Sequence, residues 1–443
     1  MTILFCLHAV QKTNPERIAF LEAAQQTLGR DLRLAVFNES STAESNILTV
    51  VNASDRGGKP GRAGAAERLK AKLKAEFGGR ANWWLKEATD EGFLKFGDRD
   101  RAAQVFERKF NAFLSTMDEF QPSHVYLWNA FNSFHRVLRG WLEAKGIPTA
   151  FFHDGVIPGS LAFDFDGEMG ESWVAREPQR LLDVPVSEAE MAKARAHLTW
   201  LIENNINRHP QKPGVDLEFA LEEAGDLDKP LIVYAGQNDW HAGISPDGPR
   251  RPLHSPLYKS SFEAVADLDK AAGEMGAFVL YKPHPNDRDP YLFLRGGKFK
   301  NTLILQACDL NECLERAAVI VTIASQTCYV AAMRGKPVVM LGRNQFSGKG
   351  MGVDVSDRAT LRAGLERAIQ DHDAEQQFEA FARHLAQLDK TYLYDFQTLD
   401  DEYFQYKPSA FAEVLRAQAG GASASELIDM RLNAHTQSAA QAA

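Results

Sequence analysis

Residues 319–352 read VIVTIASQTCYVAAMRGKPVVMLGRNQFSGKGMG, and this stretch decides the fold. A buried strand, Val319–Ile323, runs into a small polar turn, Ala324-Ser325-Gln326-Thr327. A short helix over Cys328–Met333 follows, then Gly335-Lys336-Pro337 and a second apolar strand, Val338–Leu341. Short apolar runs on either side of a helix make a βαβ unit, because strands of a parallel sheet are buried on both faces. The turn therefore lies at the carboxyl end of a strand, where open α/β sheets hold their ligands, and it offers hydroxyls and a helix N-terminus. Upstream, Val279-Leu280-Tyr281-Lys282-Pro283-His284-Pro285 ends another strand in a cationic loop stiffened by prolines. Two such strand ends in one half of the chain point to an anionic ligand, best met by the phosphate of a nucleotide.

The same alternation extends outward. The strand Ile3–Leu7, the helix Pro15–Leu28 and the strand Leu32–Phe37 open the chain. A long helix over Asp98–Phe120, the strand His124–Trp128, the helix Phe134–Lys145 and the strand Thr149–Phe152 continue it. Residues 186–228 are charged and helical, with Pro210-Gln211-Lys212-Pro213 as a linker. A second series follows: strand Leu231–Tyr234, helix Ser261–Met275, strands Ala277–Tyr281 and Thr302–Leu305, and helix Leu310–Ala317. Asp357–Leu388 reads as helical, and Ala419–Ala443 as a frayed helix or flexible tail. The fold expected is α/β, with two Rossmann-like domains facing across a cleft and a C-terminal helical segment. Its boundaries are 1–185, a linker over 186–228, a nucleotide-binding domain over 229–390, and 391–443.

A chain of 443 residues with 44% hydrophobic and 25% charged content is an ordinary soluble globular protein. A net charge of −9 argues against a general nucleic-acid binder. Nowhere do 18 apolar residues run together, which excludes a spanning helix. Met1–Val10 lacks a basic leader and reads as a core strand, not a secretory signal. Cys6, Cys308, Cys313 and Cys328 lack metal-ligand spacing and read as buried thiols of a reducing cytoplasm, and no metal site is expected. The basic stretch Arg56–Arg80, followed by Trp83 and Trp84, fits either a solvated loop and helix or a peripheral contact with anionic lipid at the inner membrane face.

Residues 151–173, FFHDGVIPGSLAFDFDGEMGESW, deliver His153, Asp154 and Gly155 to a loop at a strand's carboxyl end. Asp154 suits a nucleophile, a general base or a metal site there, and Asp-Gly also suits a plain turn. Asp164, Asp166, Glu168 and Glu171 follow among glycines, as catalytic candidates or as solvated turn residues; their spacing fails the EF-hand pattern. Gln237-Asn238-Asp239, again straight after a strand, fits sugar hydroxyls, a base edge or a turn. Lys282 and His284, with Pro285 fixing the backbone, fit neutralisation of a phosphate or protonation of a leaving group. Ser325, Gln326 and Thr327 complete the phosphate-facing set. The absence of a Walker lysine motif, of GxGxxG in the first βα turn and of GxSxG removes the main support for kinase, dehydrogenase and serine-hydrolase readings.

Taken in order, WNAFNSFHR (128–136), HDGVIPGSLAFDFDGEMGES, the Gln237-Asn238-Asp239 turn, KPHP and ASQTCYVAAMRGKPVVMLG resemble the bacterial capsule polysaccharide biosynthesis family, whose members include β-Kdo transferases using CMP-Kdo. The resemblance covers roughly residues 120–352. It implies a GT-B-like fold and a retaining glycosyltransferase that moves an acidic sugar, Kdo from CMP-Kdo, to a glycan or lipid-linked acceptor without an obligatory cofactor. It also implies that Asp154 is the catalytic carboxylate, and that His284, Pro285, Ser325 and Gln326 hold the cytidine monophosphate. The chain departs from the family at His153, where Glu is usual. The alternatives are another CMP-linked sugar or CDP-glycerol as donor, or a non-catalytic module that binds polysaccharide or assembles an export complex.

Overall fold

The computed structural model describes residues 1–8, 16–39, 43–58, 60–204, 206, 214–224, 228–285, 299–395 and 408–441. The expected linker at 210–213, Pro15 and Lys59 lie outside these residues. The chain divides into two compact units: Met1–Gly155 with Gly159–Glu168 and Lys390–Ala443, and Met169–Asp389 with Val156–Pro158. Each is Rossmann-like α/β, as the sequence reading expects.

The first unit carries β1 (Thr2–Leu7), β2 (Arg33–Asn38), β3 (Thr49–Asn52), β4 (His124–Trp128), β5 (Thr149–Asp154) and β6 (Ser160–Asp164). A later strand, Leu393–Asp395, joins the same sheet. The order runs from that late strand through β6, β5, β4 and β1 to β2 and β3. β1 to β5 are parallel, whereas β6 and the late strand are antiparallel to their neighbours. Alternation along β1 sends Ile3, Phe5 and Leu7 into one core and Leu4 and Cys6 into the other. Helices Ala65–Phe77, Arg99–Phe120 and Ser133–Lys145 cover one face. Glu16–Leu28 and the late helix Pro408–Ala419 cover the other, where Phe411 packs 5.2 Å from Phe20 and 5.1 Å from Phe163, centroid to centroid.

The second unit holds β7 (Leu231–Ala235), β8 (Phe278–Lys282), β9 (Thr302–Ile304), β10 (Val319–Thr322), β11 (Val338–Met340) and β12 (Val353–Asp354). All six are parallel, in the order β12-β11-β10-β7-β8-β9. The chain lays β8 and β9 on one side of β7 and then returns to place β10 on the other. Leu231-Ile232-Val233-Tyr234-Ala235 is buried throughout, as a strand with helices on both faces requires. The late strand is numbered β13.

Several elements differ from expectation. Residues 169–228 group with the second unit, and residues 390–441 return to the first, where β13 pairs with β6 and Pro408–Ala419 packs against Glu16–Leu28. β3, β6, β12 and β13 are short, and two to five residues carry too little period to stand out from loop. Asp357–Leu388 splits into helices Leu361–Gln370 and Ala374–Thr391. In the basic stretch Arg56 pairs with Glu119, Arg62 with Asp98 and Arg68 with Glu107. Trp84 stacks on Phe77 at 4.3 Å and fills the space over Gly140, while Trp83 remains 44% exposed. Among the described residues no helix is long and apolar enough to cross a membrane.

Candidate active site

At the carboxyl end of the second sheet, the loops after β7, β8 and β10 meet at the point where strand order reverses. The Thr322 hydroxyl donates to the Ala235 carbonyl at 3.0 Å, tying the end of β10 to that of β7. Gln237 extends the brace: Ala324 N–H donates to its Oε1 at 3.4 Å, and its Nε2 donates to Asp239 at 2.9 Å and to the Ser261 hydroxyl. Asp239 in turn accepts the Ser261 N–H at 2.8 Å and its hydroxyl at 2.6 Å, which anchors the helix Ser261–Met275. With Gln237 only 4% exposed, this pair frames the site. Gly236 is required there, since a Cβ would stand 2.9 Å from the Tyr281 ring and 3.1 Å from the Lys282 carbonyl.

Lys282 ends β8 and is 8% exposed, its ammonium donating to the Gln306 carbonyl at 3.3 Å. The Gln306 amide donates to the His284 carbonyl at 2.9 Å and so fixes the loop that carries the half-buried imidazole. Pro285 is exposed. After β10, Ser325 N–H donates to the Thr322 hydroxyl at 3.1 Å, and the Ser325 and Thr327 hydroxyls lie 3.0 Å apart. Gln326 Oε1 is buried with no hydrogen-bond partner among the described residues. A lysine at the end of β8, and two hydroxyls with an orphaned amide oxygen after β10, thus lie at the carboxyl ends of strands on either side of β7.

In the first unit His153 and Asp154 are the last two residues of β5 itself, not part of the loop beyond it. Arg17, in the first turn of the helix Glu16–Leu28, donates Nη2 to both Asp154 oxygens at 2.9 and 3.2 Å. Its guanidinium stacks on the Trp128 ring, 3.8 Å from the centroid. Both side chains keep some exposure, 13% for Arg17 and 24% for Asp154, so the pair is oriented yet reachable. The Asn129 amide stands 3.3 Å from His153 Nε2; Asn129 itself adopts φ +51°, a left-handed conformation that Asn tolerates through local hydrogen bonding.

The remaining acidic candidates disperse. Asp164 pairs in register with Phe151, three residues before Asp154 on β5, which sets it about 10 Å back along the strand. It is 1% exposed, and its Oδ1 accepts the N–H groups of Asp166 at 2.8 Å and Gly167 at 3.3 Å. It therefore holds a turn and does not stand beside Asp154. Glu171 belongs to the second unit, where Arg250 at 3.0 Å and His254 at 3.2 Å engage it. The sequence reading omitted Arg17, His8 and Glu39. The last two directly follow β1 and β2, the same strand-end signal that singled out Lys282.

No protein-family model matches the chain, and no curated protein matches it. Among solved structures it is similar to the β-Kdo 2,7 transferase of Thermosulfurimonas dismutans KpsC, at 19% identity and a TM-score of 0.42, covering 69% of this chain and 88% of that one. The β-Kdo 2,4 transferase of the same KpsC matches at 16% identity and a TM-score of 0.40, over 60% and 80%. The Methanocaldococcus jannaschii UDP-GlcNAc 2-epimerase in complex with UDP-GlcNAc and UDP matches at 10% identity and a TM-score of 0.38, over 95% and 100%.

Proposed function

We propose that the protein is a glycosyltransferase that takes an acidic sugar from a nucleotide donor, Kdo from CMP-Kdo in the form its motifs resemble, and passes it to a glycan or lipid-linked glycan of the bacterial surface. The observation that supports this reading is the placement of Lys282 at the end of β8 and of Ser325, Gln326 and Thr327 after β10, on either side of the β7 end that Gln237 and Asp239 brace. A cation and hydroxyls at the carboxyl ends of such strands suit one phosphate and the nucleoside it carries. Lys282 and His284 stabilise the charge that develops on the departing CMP, the role that fixed donors play in low-dielectric sites.

Asp154 supplies the carboxylate. In a retaining route it attacks the anomeric carbon, the bond to the CMP oxygen breaks with its electron pair going to the phosphate, and the acceptor hydroxyl then displaces Asp154. Arg17 holds the carboxylate in place at the end of β5 by donating to both of its oxygens. The test is CMP release from CMP-Kdo and a panel of other nucleotide sugars, with and without glycolipid acceptor. Asp154→Ala is expected to abolish transfer while CMP binds within about twofold of wild type, since its carboxylate acts on the sugar carbon and not on the nucleotide. Undiminished transfer by that variant removes Asp154 from the chemistry.

A further inference from the structure

β9 ends at Ile304, and residues 305–309 lead from it into the helix Leu310–Arg316. Gln306, in that loop, accepts the Lys282 ammonium at 3.3 Å and donates to the His284 carbonyl at 2.9 Å. The carbonyl of Ala307 accepts the Val215 N–H at 2.6 Å. Asp309 caps the helix, so Cys308 stands just before the cap and Cys313 in the first full turn. Side chains at those two positions meet across a helix start. Here the two sulfurs lie 3.3 Å apart.

An apolar pair would staple the helix as well; two thiols differ in what they can become. The S–H of Cys313 and the Lys282 ammonium hold the Cys308 thiol below its ordinary value despite burial. The same bond and burial push the Cys313 thiol up. Cys308 is therefore the nucleophile of the pair, and Cys313 keeps its proton. Cys308 is 4% exposed and Cys313 fully buried, so a small oxidant reaches Cys308 first. Burial pushes the Cys328 thiol up to about 12, and that of Cys6 higher still, which leaves both inert.

We propose that Cys308 and Cys313 form an oxidation site, which hydrogen peroxide converts to a disulfide, and that this bond draws Gln306 away from Lys282 and His284. The effect on the donor loop rests on the glycosyltransferase reading; the oxidation does not. In the first step the Cys308 thiolate attacks one peroxide oxygen, the O–O bond breaks, and hydroxide leaves a sulfenic acid behind. The Cys313 sulfur then bonds to the Cys308 sulfur, and the displaced hydroxyl departs as water with the Cys313 proton. Two electrons have passed from the thiols to the peroxide. The sulfurs must close by roughly 1.3 Å for the bond to form. Cys313 is held within its helix, so the movement falls on Cys308 and the loop before it. In a reducing compartment such bonds are transient and serve as sensors.

The test treats the reduced full chain with hydrogen peroxide and follows the tryptic segment 301–316, which contains both thiols. That segment is expected to become two hydrogens lighter and resistant to alkylation, while Cys6 and Cys328 are still alkylated after denaturation. CMP affinity, by isothermal titration, should fall about fivefold, the worth of one displaced hydrogen bond, and return with dithiothreitol. In Cys313→Ser, dimedone should trap the sulfenic acid at Cys308. Cys308→Ser should give no adduct at Cys313 and should bind CMP as the reduced wild type does, with or without peroxide. If Cys308→Ser does not fold, Cys308→Ala takes its place. A segment 301–316 that stays alkylatable after peroxide overturns the oxidation site, as does trapping at Cys313 in place of Cys308. A disulfide that leaves CMP affinity unchanged overturns its link to the donor loop. A reduced wild type that binds no CMP overturns the donor-site reading and the link with it, whereas the oxidation site is still decided by mass.

Discussion

Lys282 is a nearly buried cation at the end of β8, next to β7. Its hydrogen bond to the Gln306 carbonyl holds it there but leaves its charge uncompensated by that neutral oxygen. Lys282→Met should therefore weaken CMP binding by about 10- to 100-fold, the worth of one hydrogen bond to a charged group, with the melting temperature little changed. Isothermal titration checks this; unchanged affinity would place the phosphate elsewhere. A second buried lysine offers a test of electrostatics alone. Burial pushes the Lys349 ammonium down to about 8, against an ordinary 10.5, despite the attraction of Asp354. Between those two pH values the folded protein has released a proton that the unfolded chain still holds, so this group's contribution to stability rises with pH across the window. Measured against Lys349→Met, the wild type should gain on the order of 3 kcal/mol from pH 8 to pH 10.5. A flat difference between the two denaturation series would contradict the burial.

Elements with a strong period and a cap are legible in this sequence. Ser261–Met275 starts and stops where its Ser260 cap and the left-handed Gly276 require, and His124–Trp128 coincides with an apolar run bounded by polar residues. The βαβ unit at 319–340 and the loops after β7, β8 and β10 follow from the same logic, so the strand ends at which Lys282, Ser325 and Thr327 lie could be located by reading alone. What the sequence hides depends on partners distant in the chain. Asp164 looks like Asp154 in composition, and only the antiparallel register of β5 with β6 separates the two. Arg17 becomes part of the site only because β4 presents the Trp128 ring beneath it. Gly236 is a third instance, since its necessity comes from Tyr281 and Lys282 on the neighbouring strand. Gly236→Val should cost about 1–3 kcal/mol through overpacking, and should displace the Gln237 brace so that CMP affinity falls with stability. A denaturant titration and a binding isotherm on the same sample check both; a neutral Gly236→Val would mean the loops are looser than their contacts imply.

At the scale of the whole chain, the two units have separate cores, so a ligand confined to one should reveal itself there. CMP at 100 times its Kd should stabilise the second unit by about 2.7 kcal/mol by mass action. Hydrogen exchange should register this as slowed exchange at the ends of β7, β8 and β10, with the first unit's β1–β3 region unaffected; protection spread evenly over both units would contradict a donor site held by the second sheet alone. The path of the chain carries a further consequence. Residues 169–389 form their unit almost without interruption, whereas the first unit needs β13 to pair with β6 and Phe411 to fill the core beside Phe20. On a ribosome delivering the chain from its amino terminus, the unit that begins first must finish last. Its β6 edge and the apolar surface of Glu16–Leu28 stay uncovered until some 240 further residues have emerged, roughly 12 to 48 seconds at 5–20 residues per second. Through that interval an unpaired strand edge and a bare hydrophobic groove are what a holding chaperone would meet, and the final helices are what would displace it.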